Sequence, residues 1–349
     1  MSEHPPSVKD PFDWADALVA LGRAVRAQLL ASRDGEMHLP VGREGGDTIY
    51  AIDRAVEGVL IERIEAWPAS VKPLVLVAEG LGASGCQRFT ATADARDDRP
   101  PRYTLIVDPI DGTRGIMYDK RAAWFIAAVC PAGGRLADSL ASCLLELPVS
   151  KAGWADTFVA MRGRGVTAVR DPLGGGAALP LTVQPSRAAD LRHGFAQVSN
   201  FFPGTKVLAS ALMEAIAAEA GSGDDFDQPV VFDDQYLSTA GQFVELMCGR
   251  DRFCCDLRPL LFEAVSREAG RTVKGFACHP YDAAGLLVAQ EAGVILTDGF
   301  GRPLDAPLSV DDDVHWCGYA NAALQAKIQP VIQRWFARHG ITPDTVASP

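Results

Sequence analysis

Two short apolar segments constrain the fold of this chain more than any other feature of its sequence. LVLVAE (74–79) and YTLIVD (103–108) are rich in β-branched residues, and each ends in a carboxylate. Runs of this kind are typical of buried strands. Each acidic residue then lies where a strand gives way to a loop, and we expect the functional residues at these two strand ends.

The first half of the chain predicts helices packed on a largely antiparallel sheet. Residues 12–31 place apolar side chains at helical spacing, and a second helix is expected from Asp53 to about Trp67. Further strand-like runs follow at 122–130, 140–147 and 156–161, separated by Gly and Pro.

The length of 349 residues exceeds that of a usual single core and favours two domains. The stretch 170–190 is rich in Gly and Pro and is the best boundary. We therefore predict an N-terminal α+β domain at 1–185, carrying most of the metal ligands, and a C-terminal α/β domain at 186–349. The second domain is expected to alternate strands and helices, with strands at 195–200, 252–256 and 294–297 and helices at 206–220, 238–249, 282–293 and 320–339.

Composition argues against several classes of protein. The formal net charge of -11 and the lack of a basic cluster make nucleic acid an unfavourable partner. The longest apolar run, 122–130, is too short to span a bilayer, and the N-terminus lacks the profile of a signal peptide. Eight cysteines occur without a CxxC pair and are interpreted as reduced core residues. We expect a cytoplasmic protein without a membrane or nucleic-acid partner.

The segment IVDPIDGT (106–113) carries the strongest local signal. Asp108 and Asp111 stand three apart at a strand end and can face one hard cation, while Gly112 lets backbone amides approach an anion. Thr113 can then position a water molecule. A turn or a helix cap is the alternative, because Asp, Pro, Gly and Thr all favour turns.

Acidic residues elsewhere strengthen the metal-site interpretation. Glu79 ends the preceding strand, Asp53 ends GDTIYAID (46–53), and Asp282 lies in HPYDAAG (279–285), where an ordinary helix N-cap is the alternative. Acids with few histidines suit Mg²⁺, which prefers oxygen ligands, over zinc. We interpret His279 as structural.

These motifs together resemble those of the inositol monophosphatase superfamily of Mg²⁺-dependent, lithium-sensitive phosphatases. DPIDGT (108–113) is similar to its DP-x-DGT signature, AEG (78–80) to its glutamate-bearing strand end and PYDAAG (280–285) to its WD-x-AAG motif. EAGVILTDGFGRPLD (291–305) resembles the family's segment after that motif. The resemblance implies an α/β (α+β) fold, a layered α-β-α-β-α sandwich of the sugar-phosphatase type. It also implies a homodimer and inhibition by lithium.

The resemblance further implies a phosphomonoesterase that hydrolyses a small sugar, cyclitol or related phosphate. Asp53 and Thr113 would orient the attacking water, with Glu79 also taking part in catalysis, and the amides of Gly112 and Thr113 would hold the phosphate. Two or three Mg²⁺ ions would be bound by Glu79, Asp108, the carbonyl of Ile110, Asp111 and Asp282.

Several positions depart from the family's pattern. Arg43 stands where a lysine is usual, and Tyr281 replaces the usual tryptophan. The glutamate that contacts inositol hydroxyls would fall near Gly275, and residues 257–278 form an extra segment. The identity of the phosphate ester therefore stays open.

The basic residues after DPIDGT suggest a second anion site. We hypothesise that Arg114 or Arg121 binds another anionic group of the substrate. Solvated surface charges are the equally good alternative.

Two other functions are alternatives. The first is an NAD-dependent enzyme, because GLGASG (80–85) follows a strand and mimics a dinucleotide fingerprint. The polar segment 86–101, however, does not predict the helix that the fingerprint requires. A non-catalytic module of the same fold is the second alternative, although every acidic residue of the motifs is present.

Overall fold

The computed structural model describes residues 12–32, 40–44, 47–81, 84–91, 98–222 and 230–343, with the backbone alone at 40–44, 47–53 and 55. The chain begins with a helix whose N-cap, Asp13, accepts a hydrogen bond from the amide of Asp16. A short antiparallel hairpin and a second helix follow. These elements are α1 (Trp14–Ala31), β1 (Pro40–Glu44), β2 (Asp47–Tyr50) and α2 (Ala51–Glu65).

A large sheet of eight strands comes next in the described part of the chain. Its elements are β3 (Leu74–Ala78), β4 (Cys86–Phe89), β5 (Tyr103–Asp111), helix α3 (Thr113–Met117), β6 (Ala123–Pro131), β7 (Ala141–Leu147), β8 (Trp154–Met161), β9 (Val166–Pro172) and β10 (Leu179–Pro180). The strand order is β10-β9-β8-β7-β6-β5-β3-β4, and β3 and β5 are parallel whereas the other neighbours are antiparallel. The predicted, largely antiparallel sheet is confirmed.

The second sheet has five strands in the order β12-β11-β13-β15-β14. Strand β11 is parallel to β12 and β13, and β15 is antiparallel to β13 and β14. The elements are β11 (Gly194–Val198), α4 (Lys206–Ala217), β12 (Val231–Phe232), α5 (Thr239–Met247), β13 (Asp251–Asp256), α6 (Arg258–Ala269), α7 (Leu286–Glu291), β14 (Ile295–Thr297), β15 (Trp316–Tyr319) and α8 (Ala322–Arg338).

Strand β6 shows how the layers stack, because all its residues except Pro131 are buried. Phe125 and its neighbours on one face pack with α1 and α2. Trp124 and Ile126 on the other face pack with α5 and α7, which also cover the second sheet. Burial on both faces explains why the sequence here is a continuous apolar run rather than an alternating one.

Helices α4, α6 and α8 pack on the outer face of the second sheet. The order of layers is therefore helices α1 and α2, the large sheet, helices α5 and α7, the second sheet, and the outer helices. This α-β-α-β-α sandwich is the fold class expected from the sequence.

The structure differs from the predicted elements in three places. Residues 257–278, expected as an extra segment of unassigned structure, begin with helix α6. The helix predicted from 282 begins at Leu286, after a turn at 280–285, and its N-cap is Gly285 rather than Asp282. Strands β9 and β10 extend the large sheet into the predicted boundary at 170–190. The division at 185/186 into two domains stays a prediction.

Candidate active site

An irregularity in strand β5 positions the two aspartates of DPIDGT. Asp108 pairs with Ile126 of β6, whereas Asp111 pairs with Trp124, so three steps along β5 match two along β6. Residues three apart in a regular strand point to opposite faces. The extra residue of this bulge turns both carboxylates to the same side.

A third carboxylate joins them from a distant part of the chain. Among the described residues, Asp108, Asp111 and Asp282 offer oxygen atoms that all lie within 4.8 Å of one another. The two residues of β5 are buried, and Asp282 in the turn before α7 is partly buried. This geometry brings together three of the predicted metal ligands.

Helix α5 fixes the position of Asp111. Its Oδ2 accepts hydrogen bonds from the hydroxyl of Ser238 at 2.8 Å and from the amide of Ala240 at 2.7 Å. Ser238 is also the N-cap of α5, because its Oγ accepts from the amide of Gly241 at 2.9 Å. Ser238 was not among the predicted site residues, although a serine directly before an apolar helix is a recognisable N-cap signal.

The other two carboxylates are held by nearby backbone amides. The amide of Ile110 donates to Oδ1 of Asp108 at 2.9 Å, and the amide of His279 donates to Oδ2 of Asp282 at 2.6 Å. The imidazole of His279 stacks on Tyr281 with ring centroids 5.3 Å apart. His279 and Tyr281 therefore belong to the frame around Asp282.

The electrostatics of the cluster favour a bound cation. Burial raises the pKa of Asp108 well above its usual value, and the charges of Asp111, Asp282 and Glu79 raise it further. Burial and the charge of Asp282 also raise the pKa of Asp111 to about 8, against hydrogen bonds from the start of α5 that lower it. Ionised carboxylates so close together are unfavourable unless a positive charge compensates them. An all-oxygen set of this kind fits a hard divalent cation such as Mg²⁺.

Glu79 and Asp53 complete the predicted acidic set in different ways. Glu79 directly follows β3, is exposed and lines the same pocket as the three aspartates. Asp53 lies in the first turns of α2, and its side chain lies outside the described residues. Its predicted role in orienting water stays a prediction.

The turn after β5 requires glycine at position 112. Gly112 has a φ of 96°, and a Cβ there would lie 3.1 Å from the carbonyl oxygen of Leu237. Helix α3 begins at the next residue, and the hydroxyl of Thr113 donates to the carbonyl of Ile110 at 2.8 Å. A carbonyl oxygen has two lone pairs, so this bond leaves the predicted ligand role of Ile110 open.

The two arginines predicted for a second anion site lie in different surroundings. Arg114 lines the pocket, whereas Arg121 forms an ion pair with Asp234 at 2.8 Å and stacks 3.7 Å from the ring centroid of Tyr236. The geometry disfavours Arg121 and leaves the hypothesis for Arg114 as a prediction.

Other pocket residues were not singled out from the sequence. The lining also includes Phe201, Phe202, Phe276 and Arg258, and a pocket is assembled from loops that sequence patterns alone do not bring together. The segment GLGASG leads into β4, a strand antiparallel to β3, and not into a helix. This connection excludes a dinucleotide fingerprint.

Comparison with solved structures identifies the architecture. A hypothetical protein from Pyrococcus horikoshii with similarities to inositol-1 monophosphatase aligns with a TM-score of 0.60 at 15% identity, over 91% of this chain and 97% of that one. A Thermotoga maritima IMPase aligns at 0.59 and 15% identity over 94% and 100%. Fructose-1,6-bisphosphatase from Leishmania major aligns at 0.61 and 14% identity over 91% and 93%. This protein has the inositol monophosphatase fold.

Comparisons of sequence add nothing to this assignment, since no protein-family model and no curated protein matches the chain. The inositol monophosphatase fold was expected from the motifs, and the structural likeness over most of the chain supports that resemblance. Within the described ranges, no helix has both the length and the apolar character needed to cross a lipid bilayer.

Proposed function

We propose that this protein is a Mg²⁺-dependent phosphomonoesterase that hydrolyses a small phosphate ester, of a sugar, a cyclitol or a related alcohol. The observation that carries the proposal is the cluster of the buried Asp108 and Asp111 with the partly buried Asp282, beside the turn at Gly112. The shared fold with inositol monophosphatases and a fructose bisphosphatase supports it.

The acidic side of the pocket would hold two or three Mg²⁺ ions. When bound, Mg²⁺ lowers the pKa of a water molecule and stabilises the charge of the leaving alkoxide. The proposed ligands are Glu79, Asp108, the carbonyl of Ile110, Asp111 and Asp282.

Residues of the turn would handle the phosphate and the attacking water. The Thr113 hydroxyl donates to the carbonyl of Ile110, which leaves its lone pairs to accept a hydrogen bond from the water. Asp53 would accept the second hydrogen bond of that water. The amides of Gly112 and Thr113, at the start of α3, would bind phosphate oxygens. No covalent phosphoenzyme is required.

Phosphate release from a panel of small phosphomonoesters tests the proposal. The reactions are run with Mg²⁺, with EDTA, and with Mg²⁺ plus lithium, for the wild type and for Asp111→Asn. Turnover that needs Mg²⁺ and is lost in the variant supports the proposal. If no ester in the panel releases phosphate while the protein still binds Mg²⁺, a non-catalytic module of the same fold would be favoured.

Three further expectations accompany the proposal. Inhibition by lithium, a homodimer and a cytoplasmic location stay predictions. The first is read from the lithium arm of the panel, and the second from the mass in solution by light scattering.

A further inference from the structure

The pocket has an aromatic side that the proposed mechanism does not use. Phe201, Phe202 and Phe276 line it together with the carboxylates. The ring centroids of Phe201 and Phe202 are 6.1 Å apart, and those of Phe202 and Phe276 are 5.4 Å apart. Phe276 remains 37% exposed although it lies in a pocket. Exposed rings inside a pocket offer surface for a ligand.

A buried ion pair supports these rings from behind. Arg258 and Asp256 form it with side-chain exposures of 6% and 2%, and Nε of Arg258 lies 2.8 Å from Oδ1 of Asp256. The same guanidinium donates to the carbonyl of Phe276 at 3.0 Å and lies 5.1 Å and 5.4 Å from the ring centroids of Phe201 and Phe202. One fixed cation therefore positions all three phenylalanines.

Phe262 of helix α6 fixes the two loops that carry the rings. A Cβ at Gly204 would lie 2.8 Å from this ring, and a Cβ at Gly275 would lie 2.1 Å from it. Both loops thus approach Phe262 as closely as glycine allows. The aromatic side of the pocket is built before any ligand arrives, which lowers the entropic cost of binding.

Arg114 adds a flat cation to the same surface. Its guanidinium carbon lies 5.3 Å from the ring centroid of Phe276 and 5.8 Å from that of Phe202. Planar guanidinium groups and phenylalanine rings both stack on aromatic ligands. Phenylalanine rings offer no hydrogen bonds to hydroxyl groups, so a polyol placed against Phe202 and Phe276 would lose hydration without compensation.

We propose that the alcohol part of the substrate carries a flat aromatic ring, which stacks on Phe202 and Phe276 beside Arg114. This inference rests on the proposed function for the ester bond, and it narrows the substrate class from polyol phosphates to aromatic ones. The ring is either carbocyclic or a nucleobase, since both present the same flat π-surface.

Binding of non-hydrolysable phosphonates tests the inference without turnover. Phenylmethyl-, phenylethyl- and phenylpropylphosphonate are each compared with the cyclohexyl counterpart by calorimetry in Mg²⁺. The two rings match in size, but the cyclohexyl ring is puckered. We expect the flat ring to bind about tenfold more tightly at the linker length that reaches the phenylalanines. An adenine ring on a short alkyl phosphonate distinguishes a nucleobase from a carbocycle.

Variants show whether the phenylalanines cause the preference. Phe202→Leu and Phe276→Leu keep apolar volume and remove the flat surface, and the ratio of the two Kd values should fall toward one in both. Phe232→Leu is the matched control, because Phe232 is 40% exposed on strand β12 and is not part of the described pocket lining. Circular dichroism checks that each variant folds.

The outcomes separate this inference from the proposed function. Equal Kd values at every linker length, a preference that survives both pocket variants, or no measurable binding of any phosphonate would each overturn the aromatic assignment. If the wild type releases no phosphate from the panel in Mg²⁺ but still binds the flat ring more tightly, the esterase proposal would be overturned instead. Mg²⁺-dependent turnover without a preference for the flat ring would support the esterase proposal and overturn the inference of an aromatic substrate.

Discussion

The hydroxyl of Ser238 donates a hydrogen bond to Oδ2 of Asp111 over 2.8 Å, and the Ser238 Oγ itself caps helix α5 by accepting from the amide of Gly241. Removing it by Ser238→Ala should lower the affinity for Mg²⁺ by about 10-fold or more, since groups that orient a metal ligand commonly have effects of this size. The loss of the cap should also cost about 1 kcal/mol of unfolding free energy. Calorimetric Mg²⁺ titration and urea unfolding measure the two effects.

The control for Ser238→Ala is another helix cap. Asp13→Ala removes the N-cap of α1, at the opposite side of the large sheet from α5. It should lower stability by a similar amount and leave Mg²⁺ affinity as it is. Equal Mg²⁺ affinity in both variants would show that the Ser238 bond does not position Asp111.

Asp111→Asn should remove the response of the protein to Mg²⁺. The substitution keeps the shape of the side chain and deletes one of three clustered charges. We expect the rise in Tm that Mg²⁺ produces in the wild type to vanish, and turnover to fall by orders of magnitude. Thermal unfolding with and without Mg²⁺ measures the first effect. A variant that keeps its Mg²⁺-induced rise in Tm would exclude Asp111 as a ligand.

Gly112→Ala should damage the site more than a comparable glycine substitution elsewhere. The φ of 96° costs a non-glycine residue roughly 1–2 kcal/mol, and here the new Cβ would also crowd the carbonyl of Leu237 at 3.1 Å. Gly175 has a φ of 89° and nothing within 4 Å of the place that a Cβ would take, so Gly175→Ala is the matched control. Urea unfolding and Mg²⁺ titration of both variants measure the difference. Similar losses in the two would show that the turn tolerates a shift.

Asp251 predicts a pH dependence of stability that does not involve the site. Burial raises its pKa to about 6, against a hydrogen bond that it accepts from Cys254. The folded-state pKa lies above the unfolded value of 3.8. The contribution of Asp251 to the free energy of unfolding is therefore fully present below about pH 4 and is lost as the pH rises through 6. The wild type should lose about 3 kcal/mol over this window relative to Asp251→Asn. Urea unfolding from pH 4 to pH 7 measures the difference, and parallel curves would contradict it.

Local patterns in the sequence predicted most of the layered fold. Strands β5–β8 have seven to nine residues and are largely apolar, β3 is a short but wholly apolar run, and α1 has a clear helical stripe, so their patterns are strong. Strands β4 and β15 are four residues each, too short for a pattern to stand out. Helix α6 was not predicted although its sequence carries usable signals, namely Pro259 near its start and Gly270 at its C-cap with a φ of 63°.

The candidate site was also predicted from the sequence only in part. The motif spacing selected Asp108, Asp111 and Asp282, which lie together in the structure. The bulge in β5 that aligns the first two depends on pairing with β6, and the aromatic side of the pocket depends on loops more than 70 residues apart in the chain. Long-range contacts of this kind leave no periodic trace in a single sequence.

Helix α5 joins the site to the interior of the sandwich. Its first residues hold Asp111, while Phe243 and Leu246 are wholly buried between the two sheets. Any substitution that shifts α5 by a fraction of an ångström in this middle layer would also move a carboxylate that must keep its distance from two others. Substitutions that change the packing of the deep interior would therefore also change the affinity for the cation. Measuring that affinity across uncharged core variants would locate the site without substituting any of its residues.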